Sequence, residues 1–327
     1  MRILVTGGAG FIGSHVSEHL MERGHEVAVV DDLSTGKREN VPDGAWFYEA
    51  DIRFSCARIF EEFEPEALSH HAARVGVPRS VHRPDFDADV NVLGTFRLLE
   101  NCVRYGVRKV VFASTATAIY GTQRQFPAAE DHPQYPISLY GVSKLVAEHY
   151  LHFYSDQYGL PYVVLRYANV YGPRQDPYSK AGVVASFSRN LAANKFPTIN
   201  GTGEQTRDYV YVGDVARANV LALESDPPPS GVYNIGTGTE TSVNRLYELL
   251  RDIACTDLLP RYGPAKPGEQ LRTCIDPSRA ARVLGWYPQV RLVAGLRKTL
   301  EFFGALRPRS NDKDHEESGK YELYPWN

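Results

Sequence analysis

The chain has 327 residues, of which 43% are apolar, and its formal net charge is −3. This length suits two ordinary domains, or one large α/β unit with an appended lobe. The near-neutral charge predicts no general attraction to nucleic acid or to a membrane surface. No stretch approaches the roughly 18 consecutive apolar residues of a membrane span. We therefore expect a cytoplasmic protein with neither of those partners.

The first half of the chain alternates apolar strand signals with amphipathic helical patterns. In chain order these are the strand RILVTG, a helix over 12–23, the strands HEVAVVDD and AWFYEADI, a helix near 54–63, the strand ALSHHAA, a long helix over 85–105, the strand GVRKVVFAST, a helix over 140–158 and the segment PYVVLRYANVYG. Buried strands that alternate with helices indicate a parallel sheet covered on both faces. Six or seven such strands predict an α/β fold with a Rossmann-type, doubly wound parallel sheet.

After residue 170 the pattern changes, and glycine and proline become frequent. We predict helices near 180–194, 213–225, 242–254 and 277–304, and a strand VYNIG that returns to the main sheet. These elements predict a smaller C-terminal α/β lobe. The expected division is a Rossmann domain over 1–168, to which 209–240 partly returns, a second lobe over 169–305 and a polar tail over 306–327.

Neither the cysteines nor the histidines have the spacing of a metal site. The cysteines are scattered and contain no CxxC pair: Cys56, Cys102, Cys255 and Cys274. His70 and His71 are adjacent, so in a strand they point to opposite faces. The chain starts as a strand at residue 2 and not as a signal peptide. We therefore expect no metal, and reduced thiols as in a cytosol.

A glycine-rich loop, TGGAGFIGSH, lies directly between the first strand and the first helix. Gly7, Gly10 and Gly13 let the backbone approach a pyrophosphate at the helix N-terminus, where free N–H groups favour an anion. Phe11 and Ile12 complete the turn into the helix. The motif is weak by itself, but its position between a strand and a helix makes it specific for a dinucleotide.

An acidic pair closes the second strand. Asp31 stands 18 residues after Gly13 and would accept hydrogen bonds from the adenosine ribose, with Asp32 beside it. The charge of Asp31 would repel a ribose phosphate, which favours NAD over NADP. Lys37 and Arg38 lie close behind and favour the opposite choice.

A tyrosine and a lysine stand four residues apart in PISLYGVSKLVAEHY. In a helix this spacing places Tyr140 and Lys144 on one face. The pair is common by chance, but a dinucleotide loop upstream favours an acid/base unit. A free phenol has a pKa near 10 and is a poor base at neutral pH. A nearby ammonium group and a positive nicotinamide both favour the phenolate.

Several motifs together resemble the extended short-chain dehydrogenase/reductase family. They are TGGAGFIG, STATAIYG, YGVSK and RYANVYGPRQ, with GEQTRDYVYVGDVA and YNIGTG in the second lobe. The resemblance covers about residues 1–305 and is strongest to UDP-hexose 4-epimerases of the UDP-galactose 4-epimerase type, with features of UDP-glucuronate 4-epimerases. It implies a tightly bound NAD⁺, a UDP-sugar substrate and a homodimer formed by the helices near 90–104 and 141–158.

The resemblance also implies a reaction. Tyr140 would remove the proton of the sugar 4-hydroxyl while hydride leaves C4 for NAD⁺, and Lys144 would hold the nicotinamide ribose. The resulting 4-keto sugar would turn over and receive the hydride on its other face. A 4,6-dehydratase would need an acidic pair where this chain has Ala116, Thr117 and Ala118. We also weigh a decarboxylase, an oxidoreductase that releases NADH, and a non-catalytic NAD-binding scaffold.

A hydroxyl group bridges the tyrosine and the substrate in this family. Many relatives carry it where this chain has Ala116, so Thr115 or Thr117 must take the role, or the role is reduced. Ser114 is better placed for the nicotinamide side. Ordinary strand-end packing is the alternative for both threonines.

The remaining site residues follow from the resemblance and from strand ends. Asp51 and Ile52 close the third strand, where Asp51 would reach the adenine or cap the strand. The expected cofactor wall consists of His71, Ala72, Ala73, Asn91 and Tyr167. The expected substrate contacts are Arg79, Asn169, Val183, Arg207, Lys266, Glu269 and Arg272. Arginine and lysine suit the diphosphate, and Glu269 the uridine ribose.

The sugar itself stays open between three candidates. Residues 74–84, RVGVPRSVHRP, are expected to face C6 of the sugar. Gly76 leaves space there, while Arg79, His82 and Arg83 add positive charge that would suit the carboxylate of UDP-glucuronate. The segment ANVYGPRQDPYSKAG instead resembles hexose epimerases. UDP-glucose and UDP-glucuronate are therefore weighed equally, and an N-acetylated sugar is the third candidate.

Overall fold

A seven-stranded parallel sheet forms the centre of the protein in the computed structural model, which describes residues 1–75, 81, 83–178, 182–266 and 268–306. Its strands lie in the order β10-β6-β5-β4-β1-β2-β3. They are β1 (Arg2–Thr6), β2 (Glu26–Asp31), β3 (Trp46–Glu49), β4 (Ala67–His70), β5 (Lys109–Thr115), β6 (Tyr162–Tyr167) and β10 (Gly231–Ile235). The predicted doubly wound parallel sheet is confirmed, and VYNIG is its last strand.

Helices cover both faces of this sheet. They are α1 (Phe11–Glu22), α2 (Ala57–Phe63), α3 (Pro84–Ala88), α4 (Thr95–Arg104), α5 (Ala116–Tyr120), α6 (Leu139–Tyr158) and α8 (Val212–Glu224). Successive residues of a strand point to opposite faces. In β1, Ile3 and Val5 therefore pack with α1 and α8, whereas Leu4 packs with α2, α4 and α6.

The long helix predicted over 85–105 is interrupted. A π-helical segment, Asp89–Gly94, separates α3 from α4. Gly94 lies there against Ile52, because a Cβ at Gly94 would come within 2.9 Å of the Ile52 side chain. The wider turn therefore lies where the helix passes the end of β3, and π segments of this kind often mark functional sites.

The second lobe packs three helices on two small sheets. The helices are α7 (Val183–Ala192), α9 (Val243–Ile253) and α11 (Leu292–Phe302). One sheet joins β7 (Asn169–Tyr171), β9 (Thr206–Tyr211) and β11 (Glu240–Ser242), and the other joins β8 (Thr198–Asn200) to β12 (Arg261–Gly263). The division of the chain at residue 168 stays a prediction.

The helix predicted over 277–304 is two helices. The first, α10 (Ser278–Leu284), ends at Gly285, whose φ of 62° is the left-handed conformation that closes helices. The chain then turns through Trp286 and resumes as α11. Across the described ranges, none of the helices combines the length and apolar character needed to cross a bilayer. The polar tail predicted over 306–327 lies, beyond residue 306, outside the described residues.

Candidate active site

The glycine loop closes tightly between β1 and α1. Gly7 has a φ of 69°, and its carbonyl accepts a hydrogen bond from Gly10 N at 3.1 Å. A Cβ at Gly13 would lie 2.2 Å from the Gly7 oxygen, so no side chain fits there. Gly10 is the N-cap residue of α1, and no side chain caps the helix there by a hydrogen bond. The first N–H groups of α1 are therefore open to an anion.

Asp31 is fixed at the end of β2, beside this loop. Its buried carboxylate accepts from Ala9 N at 3.0 Å and from Leu33 N at 2.9 Å. Burial raises its pKa. The two cations that favoured NADP have other partners, since Lys37 pairs with Glu39 at 3.2 Å and Arg38 lies 4.4 Å from the centre of the Phe47 ring. The arrangement suits a ribose diol better than a ribose phosphate.

Asp32 and Asp51 are both engaged near the predicted adenosine end. Asp32 is exposed and accepts from the backbone and the hydroxyl of Ser34. The carboxylate of Asp51 pairs with the guanidinium of Arg53 at 2.6 Å and accepts from Arg53 N at 2.9 Å. Arg53 was not predicted, and whether Asp51 reaches an adenine stays a prediction.

A chain of hydrogen bonds joins β1, the strand that precedes the glycine loop, to the π-helical segment. The Thr95 hydroxyl donates to the Asn91 carbonyl at 2.7 Å, so it accepts from His70 Nε2 at 2.9 Å. His70 Nδ1 then accepts from the Thr6 hydroxyl at 2.6 Å. Burial lowers the pKa of His70 well below its usual value. We therefore assign His70 as the neutral Nε2–H tautomer.

The segment after β4 runs against the glycine loop. A Cβ at Gly7 would lie 2.6 Å from Ala72 N, and Ala72 N donates to the Thr6 hydroxyl at 3.3 Å. His71 Nε2 lies 3.0 Å from the Ser69 hydroxyl, while its buried Nδ1 has no hydrogen-bond partner within the described ranges. Burial, and then the charge of Lys144, lower the pKa of His71 to about 3. This unpartnered nitrogen suits a ligand atom.

Asn91 joins the segment after β4 to α6 by hydrogen bonds. Its Oδ1 accepts from Arg74 N at 2.8 Å. Its Nδ2 lies 3.2 Å from Asp87 Oδ1 and 3.2 Å from Ser143 Oγ. The Ser143 hydroxyl in turn donates to the Tyr140 carbonyl at 3.0 Å. Asn91 thus positions the turn that carries Tyr140, and direct contact with a cofactor stays a prediction.

Tyr140 and Lys144 lie on the first two turns of α6, as the spacing indicates. Ser138 caps the helix by accepting from Gly141 N at 3.1 Å. Burial raises the pKa of Tyr140. Lys144 is 3% exposed, and its ammonium lies 4.0 Å from the centre of the Phe112 ring. Burial lowers the pKa of Lys144 to about 7.

The hydroxyl residues lie at the junction of β5 and α5. Thr115 ends β5 and caps α5, accepting from Ala118 N at 3.5 Å. Thr117 lies in the first turn of α5, and both threonines are partly buried. A Cβ at Gly141 would lie 2.3 Å from the Ala118 oxygen, so α5 presses directly on the turn of Tyr140. Both threonines therefore stay candidates for the bridging role.

A cleft with an empty volume of about 640 Å³ opens in the second lobe. Its lining includes the predicted residues Asn169, Val183, Arg207, Lys266 and Glu269. Buried Asn169 Oδ1, Gln175 Oε1 and Tyr209 Oη have no hydrogen-bond partner among the described residues. Arg207 pairs with Glu269 at 3.0 Å across it. Unsatisfied polar atoms in a cleft are costly unless a ligand completes them.

The loop of Glu269 also contacts α5, on which the Tyr140 turn packs. Gln270 Nε2 donates to the carbonyls of Thr117 (3.2 Å) and Gly121 (2.5 Å). The loop that carries Glu269 and the Tyr140 turn therefore both contact α5.

Two further predicted residues have partners within the protein, and their contacts with substrate or cofactor stay predictions. Arg272 is not among the cleft-lining residues and pairs with Glu240 at 2.6 Å. The Tyr167 hydroxyl is buried against Asn219, 2.9 Å from its Nδ2. Six positions of the segment predicted to face C6 fall outside the described residues, and they include Gly76, Arg79 and His82.

Comparison with known proteins matches residues 3–236 to the family described as NAD dependent epimerase/dehydratase. The chain belongs to that family. A UDP-glucose 4-epimerase from Mycolicibacterium smegmatis is 45% identical over 310 residues, which are 93% of this chain and 98% of the relative.

Two solved epimerase structures are similar to this family member over nearly their whole length. The UDP-glucose 4-epimerase of Thermotoga maritima, solved with UDP-glucose, is 49% identical with a TM-score of 0.89, covering 93% of this chain and 98% of that one. The Thermus thermophilus UDP-glucose 4-epimerase, solved as a complex with NAD, is 46% identical with a TM-score of 0.87, covering 93% and 99%. The predicted extended short-chain dehydrogenase/reductase family and NAD cofactor are confirmed.

The residues of this epimerase-family chain fit NAD. The Gly13 position that excludes a Cβ, the free N-terminus of α1 and the backbone-held Asp31 form a place for pyrophosphate and ribose. Sequence reasoning missed Glu148 and Arg166, a buried ion pair at 2.6 Å behind Lys144. The only local signal for the pair was the position of Glu148, four residues after Lys144 in the helical pattern.

Proposed function

We propose that this protein is a UDP-glucose 4-epimerase that keeps NAD⁺ bound and interconverts UDP-glucose and UDP-galactose. The observation that carries the proposal is the placement of the Tyr140 turn. It abuts α5 at Ala118, and α5 is tied through Gln270 to the cleft of Arg207 and Glu269. A UDP group in that cleft would bring its sugar to the phenol.

Tyr140 is the general base of the proposed reaction. Its phenol is held neutral by burial in the protein alone. Lys144 on the next turn and a bound nicotinamide would both stabilise the phenolate. A bound NAD⁺ would accept the hydride from C4 and, as NADH, return it to the other face of the same carbon. Tyr140 takes the proton from the 4-hydroxyl and returns it to the C4 oxygen after the sugar has turned over, while Thr115 or Thr117 bridges the two oxygens.

The cleft residues are proposed to hold the UDP group. Arg207 and Lys266 would bind the diphosphate, and Glu269 the uridine ribose. In the protein alone, the Glu269 carboxylate pairs with the Arg207 guanidinium at 3.0 Å. A diphosphate would replace that carboxylate, and Asn169 Oδ1 and Tyr209 Oη would gain partners.

UDP-glucuronate and UDP-N-acetylglucosamine remain the alternative substrates. Of the three cations proposed to face C6, Arg83 lies among the described residues, and it pairs with Asp85 at 2.9 Å. This ion pair gives Arg83 a partner within the protein, and the assay below decides between a hydroxymethyl group and a carboxylate at C6.

The test of the proposal is a direct assay of substrate and cofactor use. Purified protein is incubated separately with UDP-glucose, UDP-glucuronate and UDP-N-acetylglucosamine, without added cofactor, and the C4 epimers are separated by chromatography. The proposal expects UDP-galactose as the fastest product. Faster epimerisation of either other sugar would show that this sugar, and not UDP-glucose, is the substrate. Release of NADH without any C4 epimer would show that the protein is an oxidoreductase and not an epimerase.

A homodimer through α4 and α6 is part of the proposal. These adjacent helices expose apolar side chains that a second copy would cover: Phe96, Val103, Leu139, Val142 and Phe153. Val142→Glu should shift the sedimentation coefficient from dimer to monomer. Leu259→Glu is the matched control at an exposed leucine of the other lobe. A monomeric unmodified protein would contradict the dimer.

A cytoplasmic location is also proposed. All four cysteines are free thiols, which suits a reducing compartment.

A further inference from the structure

The carboxylate of Glu148 lies one helical turn after Lys144 and is buried with a guanidinium. Glu148 is 6% exposed and Arg166 is 1% exposed. Arg166 donates through its Nη2 to Glu148 Oε2 at 2.6 Å and through its Nε to Glu148 Oε1 at 3.1 Å. Arg166 Nη1 also donates to the Tyr120 hydroxyl at 3.1 Å. Neither charge has access to water, so each depends on the other.

The same carboxylate holds the hydroxyl of Ser114. Ser114 donates to Glu148 Oε1 at 2.5 Å. A carboxylate paired with a guanidinium accepts hydrogen bonds and donates none. The only hydroxyl proton of Ser114 therefore points at Glu148, and its free lone pairs are available to groups on the other side.

Ser114 and Lys144 belong to the same small region. Ser114 and Phe112 are alternate residues of β5 and share a face of the sheet. The Lys144 ammonium lies above Phe112 and has no hydrogen bond to any described residue. The other charged or titratable groups that act on Lys144 are Asp87 from α3, the neutral His70 at the end of β4 and the neutral His71 directly after it.

We propose that Glu148 is a positioning residue of the epimerase reaction: it fixes Ser114 as a hydrogen-bond acceptor toward the nicotinamide site and supplies the buried negative charge that faces Lys144. This inference rests on the proposed function. Glu148 touches neither substrate nor cofactor and acts through these two side chains. Arg166 keeps it in place, and the Tyr120 hydroxyl donates onward to Asn234 Oδ1 at 2.7 Å, which anchors Arg166.

The first test is Glu148→Gln. The amide keeps an oxygen for Arg166 and presents its NH₂ group to Ser114, which reverses the Ser114 hydroxyl and removes the negative charge. We expect turnover to fall about ten-fold and NAD⁺ to bind about ten-fold more weakly, the loss of one charge-assisted hydrogen bond. In a Ser114→Ala background the same change should cost less, because part of its effect passes through Ser114. Additive losses, or unchanged turnover and affinity, would overturn the proposal.

A second variant separates positioning from folding. Glu148→Met combined with Arg166→Met removes both charges, so no unpaired ion stays buried. If the pair serves only the fold, this stable double variant should recover the turnover and NAD⁺ affinity of the unmodified enzyme. The proposal expects both to stay low while the melting temperature is restored. Recovery of both readouts would overturn it.

A matched control replaces a buried acid elsewhere. Asp214 on α8 accepts from Gln289 N and Val290 N at 3.0 and 2.9 Å and is remote from Lys144 in the fold. Asp214→Asn should lower stability and leave turnover per folded molecule unchanged. If the unmodified protein does not epimerise any UDP-sugar, the proposed function fails. The NAD⁺ affinities of the Ser114 and Glu148 variants then still decide the positioning role.

Discussion

The cofactor side and the cleft side of the site satisfy their polar groups differently. On the cofactor side, Asp31, His70 and Asn91 are all hydrogen-bonded to the protein itself. In the cleft, Asn169 Oδ1 and Tyr209 Oη are buried without partners among the described residues, and Arg207 pairs with Glu269. Most of the first region is therefore preformed, with His71 Nδ1 as its unpartnered atom, whereas the second is proposed to be completed by its ligand.

This difference follows from what each side is proposed to do. A cofactor that stays bound through many turnovers needs a rigid seat, since every reordering would cost conformational entropy. A substrate that must enter and leave is held by groups that exchange partners, such as Arg207 between Glu269 and a diphosphate. Substitutions on the two sides should therefore affect different quantities.

We expect the largest effect, a loss of turnover, from a change at Tyr140, the group between the cofactor side and the cleft side. Tyr140→Phe should lower turnover about 1,000-fold, the middle of the range for loss of a general base, because the phenyl ring has no proton to exchange. Bound NAD, measured by absorbance after denaturation, should be unchanged. Tyr233→Phe in β10 is the matched control, because Pro229 O, at 2.9 Å, is the one hydrogen-bond partner of its hydroxyl in the part of the chain that the structure describes. Turnover near that of the unmodified protein would remove Tyr140 from its role.

The cofactor side should lose its NAD when the glycine loop between β1 and α1 cannot close. In Gly13→Ala the new methyl group would meet the Gly7 oxygen at 2.2 Å. We expect purified protein to lose most of its NAD, and affinity for added NAD⁺ to fall about 100-fold, as for roughly 3 kcal/mol of lost contact. Gly24→Ala is the control for glycine replacement: no atom lies within 4 Å of its Cβ, and although its φ of 79° should cost some stability, its NAD content should be unchanged. Full NAD content in Gly13→Ala would contradict the assigned pyrophosphate seat.

The cleft side should respond mainly in KM. Arg207→Met removes a guanidinium worth about 1.5–3 kcal/mol to a charged partner, so KM for UDP-glucose should rise about 10- to 100-fold with NAD content unchanged. Arg272→Met is the informative comparison, because Arg272 already pairs with Glu240 and is not among the cleft-lining residues. Its KM should change less than three-fold, or about 0.6 kcal/mol. Equal effects of the two arginines would show that the cleft is assigned wrongly.

The smallest effect concerns pH and stability. Burial lowers the pKa of His15 to about 4 from an ordinary 6.5. Between these values the unfolded chain binds a proton that the folded chain does not, so stability falls as the pH drops from 6.5 toward 4. His15→Gln should reduce that slope by about 1.4 kcal/mol per pH unit in urea unfolding. Exposed His152→Gln is the control, and parallel slopes for both variants would contradict the prediction.

The sequence could predict the features that neighbouring residues determine. Signals confined to a few neighbouring residues, such as the glycine loop and the alternating apolar strands, specify local backbone geometry and led to the fold and the cofactor. The Tyr140–Lys144 spacing likewise needs only one helix. The π segment and the break at Gly285 were missed because a helical pattern continues across both.

Contacts between distant segments were beyond the sequence. The partner of Arg272 lies 32 residues away, so its charge alone did not show that it belongs to Glu240. The Tyr167 hydroxyl finds Asn219 on α8, and Glu148 finds Arg166 on β6. Each of these pairings depends on packing in three dimensions and has no local pattern.

The central claim is that one nicotinamide removes and returns the same hydride at C4 while Tyr140 carries the proton. The most direct measurement follows UDP-glucose that carries deuterium at C4, in ordinary water and without added cofactor, with NMR analysis of the UDP-galactose formed. The account predicts that the deuterium stays at C4 of the product. Protium at that carbon would contradict it.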